Sequence, residues 1–143
     1  QLVTLPDSIA ALTALKDLYL GGNKFTTLPK PIVKLTSLTD LNLGFNQLVT
    51  LPDSIAALTA LERLDLSANQ LVTLPDSIAA LTALEKLHLI GNQIVTLPDS
   101  MAALMSLEEL QLYENPLAKP QSSAVEAWLT ALRAGSCDVW MPE

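Results

Sequence analysis

The chain has 143 residues, 31 of them Leu, with a hydrophobic content of 50% and a mean hydropathy of +0.36. Its longest uncharged stretches, Leu41–Pro52 and Leu87–Pro98, contain Asn and Pro and fall short of the roughly 20 apolar residues a membrane span requires, while so much leucine buries a core and excludes disorder. Eight basic residues against 15 acidic ones give a net charge of -7, which argues against nucleic acid or anionic lipid as the main partner and leaves one soluble domain.

At the N-terminus, Gln1 to Asp7 lack the basic and apolar regions of a signal peptide. The chain starts in mid-repeat at Gln1, which reads as a truncated array, and a half-repeat runs to Ala14. The strand near Leu15–Asn23 is then an open sheet edge, and open edges invite pairing with another chain. A monomer, or a weak dimer through that edge, is the expectation.

From there a 23-residue period dominates, marked by Asn23, Asn46, Asn69, Asn92 and Asn115 and by Pro6, Pro29, Pro52, Pro75 and Pro98. Around each Asn the pattern L-x-x-L-x-L-x-x-N-x-L recurs, as in Leu61-Leu64-Leu66-Asn69-Leu71. The L-x-L alternation predicts a strand with one buried face. Pro-Asp-Ser then opens a short Ala-rich helical turn, with Asp53 or Ser54 placed to cap its free N–H groups. The apolar anchors Leu61, Leu64, Leu66, Leu71, Leu74, Ile78, Leu81 and Leu84 are too many for one repeat to bury, so neighbours must stack. Each Asn reads as structural, its amide bonding the backbone of adjacent turns in a ladder.

The period breaks after Asn115-Pro116-Leu117-Ala118-Lys119-Pro120. A helix from about Ser122 to Ala134 follows, begun by Ser122 or Ser123 and stopped by Gly135. Val125, Trp128, Leu129 and Leu132 share one face of it, which should lid the open end of the core. The position of Trp140 in the last residues is left open. Cys137 is the only cysteine, which excludes an internal disulfide and favours a reducing compartment.

The repeat and its N-P-L-x-x-P ending resemble the leucine-rich repeat family, in its 23-residue intracellular class, over roughly residues 1 to 120. The resemblance implies an α/β fold: a right-handed solenoid with parallel strands on the concave face and short helical or 3₁₀ turns on the convex face. Residues 1–120 would form the array and residues 121–143 a capping helix and tail. It also implies protein recognition in the cytoplasm, with a secreted effector as the alternative.

Residues 1–15, 47–61 and 70–84 are one repeated string, QLVTLPDSIAALTAL, whereas the eight residues after each copy read KDLYLGGN, ERLDLSAN and EKLHLIGN. The varied positions leave the concave face of the strands. Equivalent residues of a parallel sheet lie about 4.8 Å apart and form columns. The central column holds Tyr19, Asn42, Asp65, His88 and Gln111. Beside it run Asp17, Asp40, Arg63, Lys86 and Glu109, and on the other side Ile90 and Tyr113, with Phe45 nearby. Asp40 with Arg63 and Lys86 with Glu109 are placed to pair, each pair being worth under about 1 kcal/mol.

A constant frame displaying a varied surface with exposed aromatic residues is what a protein-binding face needs. These columns are therefore the candidate site for a protein or peptide carrying a basic patch. The alternatives are a structural or oligomerising spacer of a larger protein, and a consensus-type engineered scaffold. His88, the only histidine, lies a strand away from Asp65, which supplies neither a nucleophile nor enough ligands for a metal. No enzyme, metal or cofactor is expected.

Overall fold

The computed structural model describes residues 1–143. Each strand is three residues long and centred on an apolar residue, the first leucine of L-x-L in β1–β5, which faces inward because successive side chains alternate across a strand. The strands are β1 (Asp17–Tyr19), β2 (Asp40–Asn42), β3 (Arg63–Asp65), β4 (Lys86–His88), β5 (Glu109–Gln111) and β6 (Asp138–Trp140). They form one parallel six-stranded sheet in sequence order. The register aligns residues 23 apart, so that Leu41 sits beside Leu64 and Asn42 beside Asp65.

The opposite side is built from five 3₁₀ turns: η1 (Asp7–Ala11), η2 (Lys30–Lys34), η3 (Asp53–Ala57), η4 (Asp76–Ala80) and η5 (Asp99–Ala103). The expected side-chain caps are absent. Proline occupies the cap position of every turn, as Pro52 does before η3, and no side chain bonds the turn's free N–H groups. The Asp and Ser side chains reach sideways instead. Ser77 Oγ donates to Asp53 Oδ1 at 3.4 Å and Ser100 Oγ to Asp76 Oδ1 at 3.3 Å, and Ser122 closes the series on Asp99.

Between the sheet and the turns lies one core of 35 buried residues. The eight anchors of the third repeat, Leu61 through Leu84, are all at or below 3% exposure. Full burial of such side chains stabilises by about 1.5–3 kcal/mol each, and adjacent repeats share them. The asparagine ladder forms as expected. Asn69 Oδ1 accepts from Leu48 N at 2.9 Å, and its Nδ2 donates to the carbonyls of Leu43 and Leu66 at 3.0 Å each. The same bonds recur around Asn46, Asn92 and Asn115.

The two ends differ. η1 has no buried residue, and Leu2 and Leu12 are 48% and 53% exposed. At the other end α1 (Ser123–Ala134) begins where Ser122 Oγ accepts from Val125 N at 3.2 Å and stops at Gly135. Val125, Trp128, Leu129 and Leu132 are buried, and Trp128 Nε1 donates to the Leu104 carbonyl at 3.2 Å. The chain then returns to the sheet as β6, beside β5. No helix is long and apolar enough to cross a membrane.

Candidate functional site

The sheet register brings the expected columns together. Tyr19, Asn42, Asp65, His88 and Gln111 run side by side, as do Asp17, Asp40, Arg63, Lys86 and Glu109. Around Asp65 the face sinks into a concavity of about 250 Å³, lined by Tyr19, Asp40, Asn42, Arg63, Lys86 and His88 among others.

The polar side chains form two local networks. In the first, the Tyr19 hydroxyl donates to Asp40 Oδ2 at 3.1 Å, and Arg63 lies 4.0 Å from the same oxygen. The hydrogen bond to Asp40 and that residue's negative charge push the Tyr19 phenol above its ordinary range, because ionisation would set two anions side by side. In the second, Lys86 Nζ lies 3.3 Å and His88 Nε2 3.1 Å from the Glu109 carboxylate, which Gln111 also contacts. A carboxylate only accepts, so His88 Nε2 carries the proton in that bond. Burial alone would raise the Glu109 carboxyl. The hydrogen bond from Lys86 and the charges of His88 and Lys86 outweigh it and hold the group below the usual glutamate range.

Both expected ion pairs are therefore present. The neighbouring Asp65 and His88 do not bond each other. Asp65 accepts from the backbone N of Ser67 at 2.9 Å and from Asn42 Nδ2 at 3.3 Å, while His88 turns towards Glu109. Asn42 does for Gly44 N at 2.9 Å what Asp65 does for Ser67 N, so both side chains also hold the turn that ends their strand.

Aromatic side chains stand at the edges of the face. Tyr19 is 65% and Phe45 72% exposed. Residues 22, 45, 68, 91 and 114 form a column of left-handed backbone. Gly22 and Gly91 adopt it without strain, whereas Phe45, at φ 56°, holds it at a cost of about 1–2 kcal/mol. Ala68 and Glu114 hold the same conformation, at φ 52° and 55°, so this backbone belongs to the turn that ends each strand. Ile90 is half-buried and Tyr113 exposed on the same rim.

Sequence reasoning missed the last strand. β6 extends the columns with Asp138 beside Glu109 and Trp140 beside Gln111. Trp140 packs at a tilt against Tyr113, with ring centroids 5.9 Å apart. The signal was faint: Asp138-Val139-Trp140 repeats the polar-apolar-polar strand pattern, but 29 residues rather than 23 separate Val139 from Leu110.

A stack of short parallel-strand repeats with a varied face over an invariant core defines the class of solenoid repeat proteins. A leucine-rich repeat region model matches residues 40–137, and a second leucine-rich repeat model matches residues 1–48. The chain belongs to the leucine-rich repeat family. No curated protein sequence is significantly similar to it. Among solved structures, a leucine-rich repeat protein of Leptospira interrogans is 36% identical with a TM-score of 0.87, over 97% of this chain and 34% of its own. An internalin from Listeria monocytogenes is 26% identical with a TM-score of 0.74, over 98% of this chain and 38% of its own. The plant peptide hormone receptor RGFR1, in complex with RGF2, is 33% identical with a TM-score of 0.70, over 80% of this chain and 19% of its own. This chain thus spans well under half of each of these proteins.

Proposed function

We propose that this chain is a non-catalytic module that binds a protein or peptide segment across the concave face of β1–β5, the partner presenting basic residues. One observation carries the reading: side chains vary in register along the strand columns while the frame beneath them stays constant. Two further features support it. The cations of those columns, Arg63 and Lys86, are already held by Asp40 and Glu109, which leaves Asp17, Asp65 and Asp138 without a cationic partner. Exposed Tyr19, Phe45, Tyr113 and Trp140 supply aromatic area of the kind that dominates binding energy. The plant receptor among the structural neighbours was solved in complex with RGF2, which supports partner binding by a repeat array of this kind. The single free cysteine favours a cytoplasmic setting.

The test is a variant carrying Tyr19→Ala, Asp65→Asn, His88→Ala and Tyr113→Ala. Asn is chosen at position 65 because it keeps the acceptor for Ser67 N, as Asn42 does for Gly44 N. Wild-type and variant chains serve as paired baits in extracts of the source cell, and a captured partner is then titrated with purified components. The variant should melt within a few degrees of wild type and lose about thirtyfold or more in affinity, as expected for losing a hot spot of about 2 kcal/mol or more. Equal capture by both baits would refute the concave-face assignment.

A second reading is self-association through β1. That strand is paired on one side only, and exposed Leu2, Val3 and Leu12 lie at the same end. Light scattering at rising concentration separates the two, since a constant monomer mass excludes the dimer.

A further inference from the structure

The convex side carries its own departure from the constant frame. The stretch equivalent to the repeated fifteen-residue string, residues 24–38, reads KFTTLPKPIVKLTSL in the second repeat. Lys30 stands where η3, η4 and η5 have Asp53, Asp76 and Asp99. Pro31, Val33 and Lys34 replace the small residues found at Ser54, Ala56 and Ala57. Bulkier side chains in a close-packed layer must spread it. Accordingly η2 packs less closely on η3 than η3 does on η4.

A groove of about 530 Å³ opens between them, with apolar surface from Leu28, Val33 and Pro52. Lys30 and Lys34 also line it. Neither belongs to an ion pair, because all three ion pairs of the chain lie on the sheet. Asp7 and Asp53 sit on the turns either side of Lys30 without pairing with it. Ser54 faces the groove as well. Its equivalents Ser77, Ser100 and Ser122 each donate to the Asp of the preceding turn, but the residue in that place for Ser54 is Lys30. The groove therefore lacks the one carboxylate that each following turn supplies, and offers an ammonium group instead.

We propose that this groove is a second binding site, taking an acidic extended peptide. A Glu or Asp carboxylate would sit between Lys30 and the Ser54 hydroxyl, with a neighbouring apolar side chain over Leu28 and Val33. Charge sets the specificity: the molecule is acidic overall and repels such a peptide at long range, whereas Lys30 and Lys34 together place two unpaired ammonium groups on this one groove.

The test pans a display library of random short peptides on the full chain, with counter-selection on the variant K30D/P31S/V33A/K34A. That variant carries the DSIAA turn that η1, η3 and η4 already form, so its fold is secured by precedent. The enriched peptides should pair Asp or Glu with Leu, Ile or Val. A purified one should lose about tenfold in affinity on the variant, the scale of two exposed ion pairs, and weaken as salt rises. Amide shifts in its NMR titration should fall on η2, Thr50 and Ser54. The proposal is overturned if counter-selection leaves no enrichment, if the enriched peptides are basic, or if the shifts fall on the sheet face. A wild-type dimer that the variant dissolves would also overturn it, by giving the groove to a second copy of the chain.

Discussion

Replacing Asn69 by Ala tests the asparagine ladder most directly. Asn69 is 7% exposed; besides a longer contact from Nδ2 to Ser67 O at 3.3 Å, it makes three backbone bonds of 3.0 Å or less, accepting from Leu48 N and donating to the carbonyls of Leu43 and Leu66. The carbonyls are each served twice: Leu43 O also receives Asn46 Nδ2, and Leu66 O also receives Asn92 Nδ2, both at 3.0 Å. Only the Leu48 N–H loses its sole partner. An orphaned buried donor costs about 1–3 kcal/mol and each lost second bond about 0.5–1 kcal/mol, so Asn69→Ala should destabilise by about 2–5 kcal/mol. Against a typical total of about 5–15 kcal/mol that loss is readily measured by urea denaturation followed by circular dichroism.

Asn23→Ala should cost much less. Its Oδ1 serves the exposed Leu2 N–H, where water substitutes, and Leu20 O keeps its bond from Asn46. Asn69→Asp should be worse than Ala, since it retains an acceptor for Leu48 N–H but turns a buried carboxylate against two carbonyl oxygens. A value for Asn69→Ala within about 0.5 kcal/mol of wild type, the range of an inconsequential surface change, would refute the ladder as a source of stability. So would equal losses at positions 23 and 69.

Two further outcomes follow from the same geometry. Trp128→Ala should destabilise by about 3–5 kcal/mol through the cavity it leaves under the cap, and Trp128→Phe by less, since it loses mainly the bond to Leu104 O; equal melting temperatures for wild type and Trp128→Ala would refute the capping role. In a Tyr113→Phe background, near-ultraviolet absorbance should place the Tyr19 phenol above its ordinary value of about 10, and Asp40→Asn should bring it back down. Because the folded-state value is raised, what this bond adds to stability is present below the unfolded phenol's range and is lost as pH rises through the folded value. An Asp40→Asn titration identical to that of the parent would refute the assigned cause.

Much of the candidate face was legible because a parallel ladder with a strict 23-residue period fixes which residues become neighbours. Asp40 met Arg63, and Lys86 met Glu109, as the register demanded. The choice among competing partners was not legible. Asp65 and His88 are register neighbours, yet each found a better partner nearby: the Ser67 N–H for the one and the Glu109 carboxylate for the other. Register sets the separation of side chains, while their rotamers are settled by every donor and acceptor within reach.

The sequence by itself determined the repeat, the first five strands, the buried leucine lattice, the asparagine ladder and the capping helix with its serine start. All of these depend on local pattern and on a period that recurs with little change. Only the tertiary structure decided the rest. It replaced the expected Asp and Ser caps with proline and turned those side chains sideways into a ladder between turns. It brought Asp138-Val139-Trp140 back to β5 after an interruption that hides the period. It also opened the groove beside η2, which depends on how Val33 and two lysines pack against a neighbouring turn. Such outcomes are set by packing between elements, and a one-dimensional pattern does not contain it.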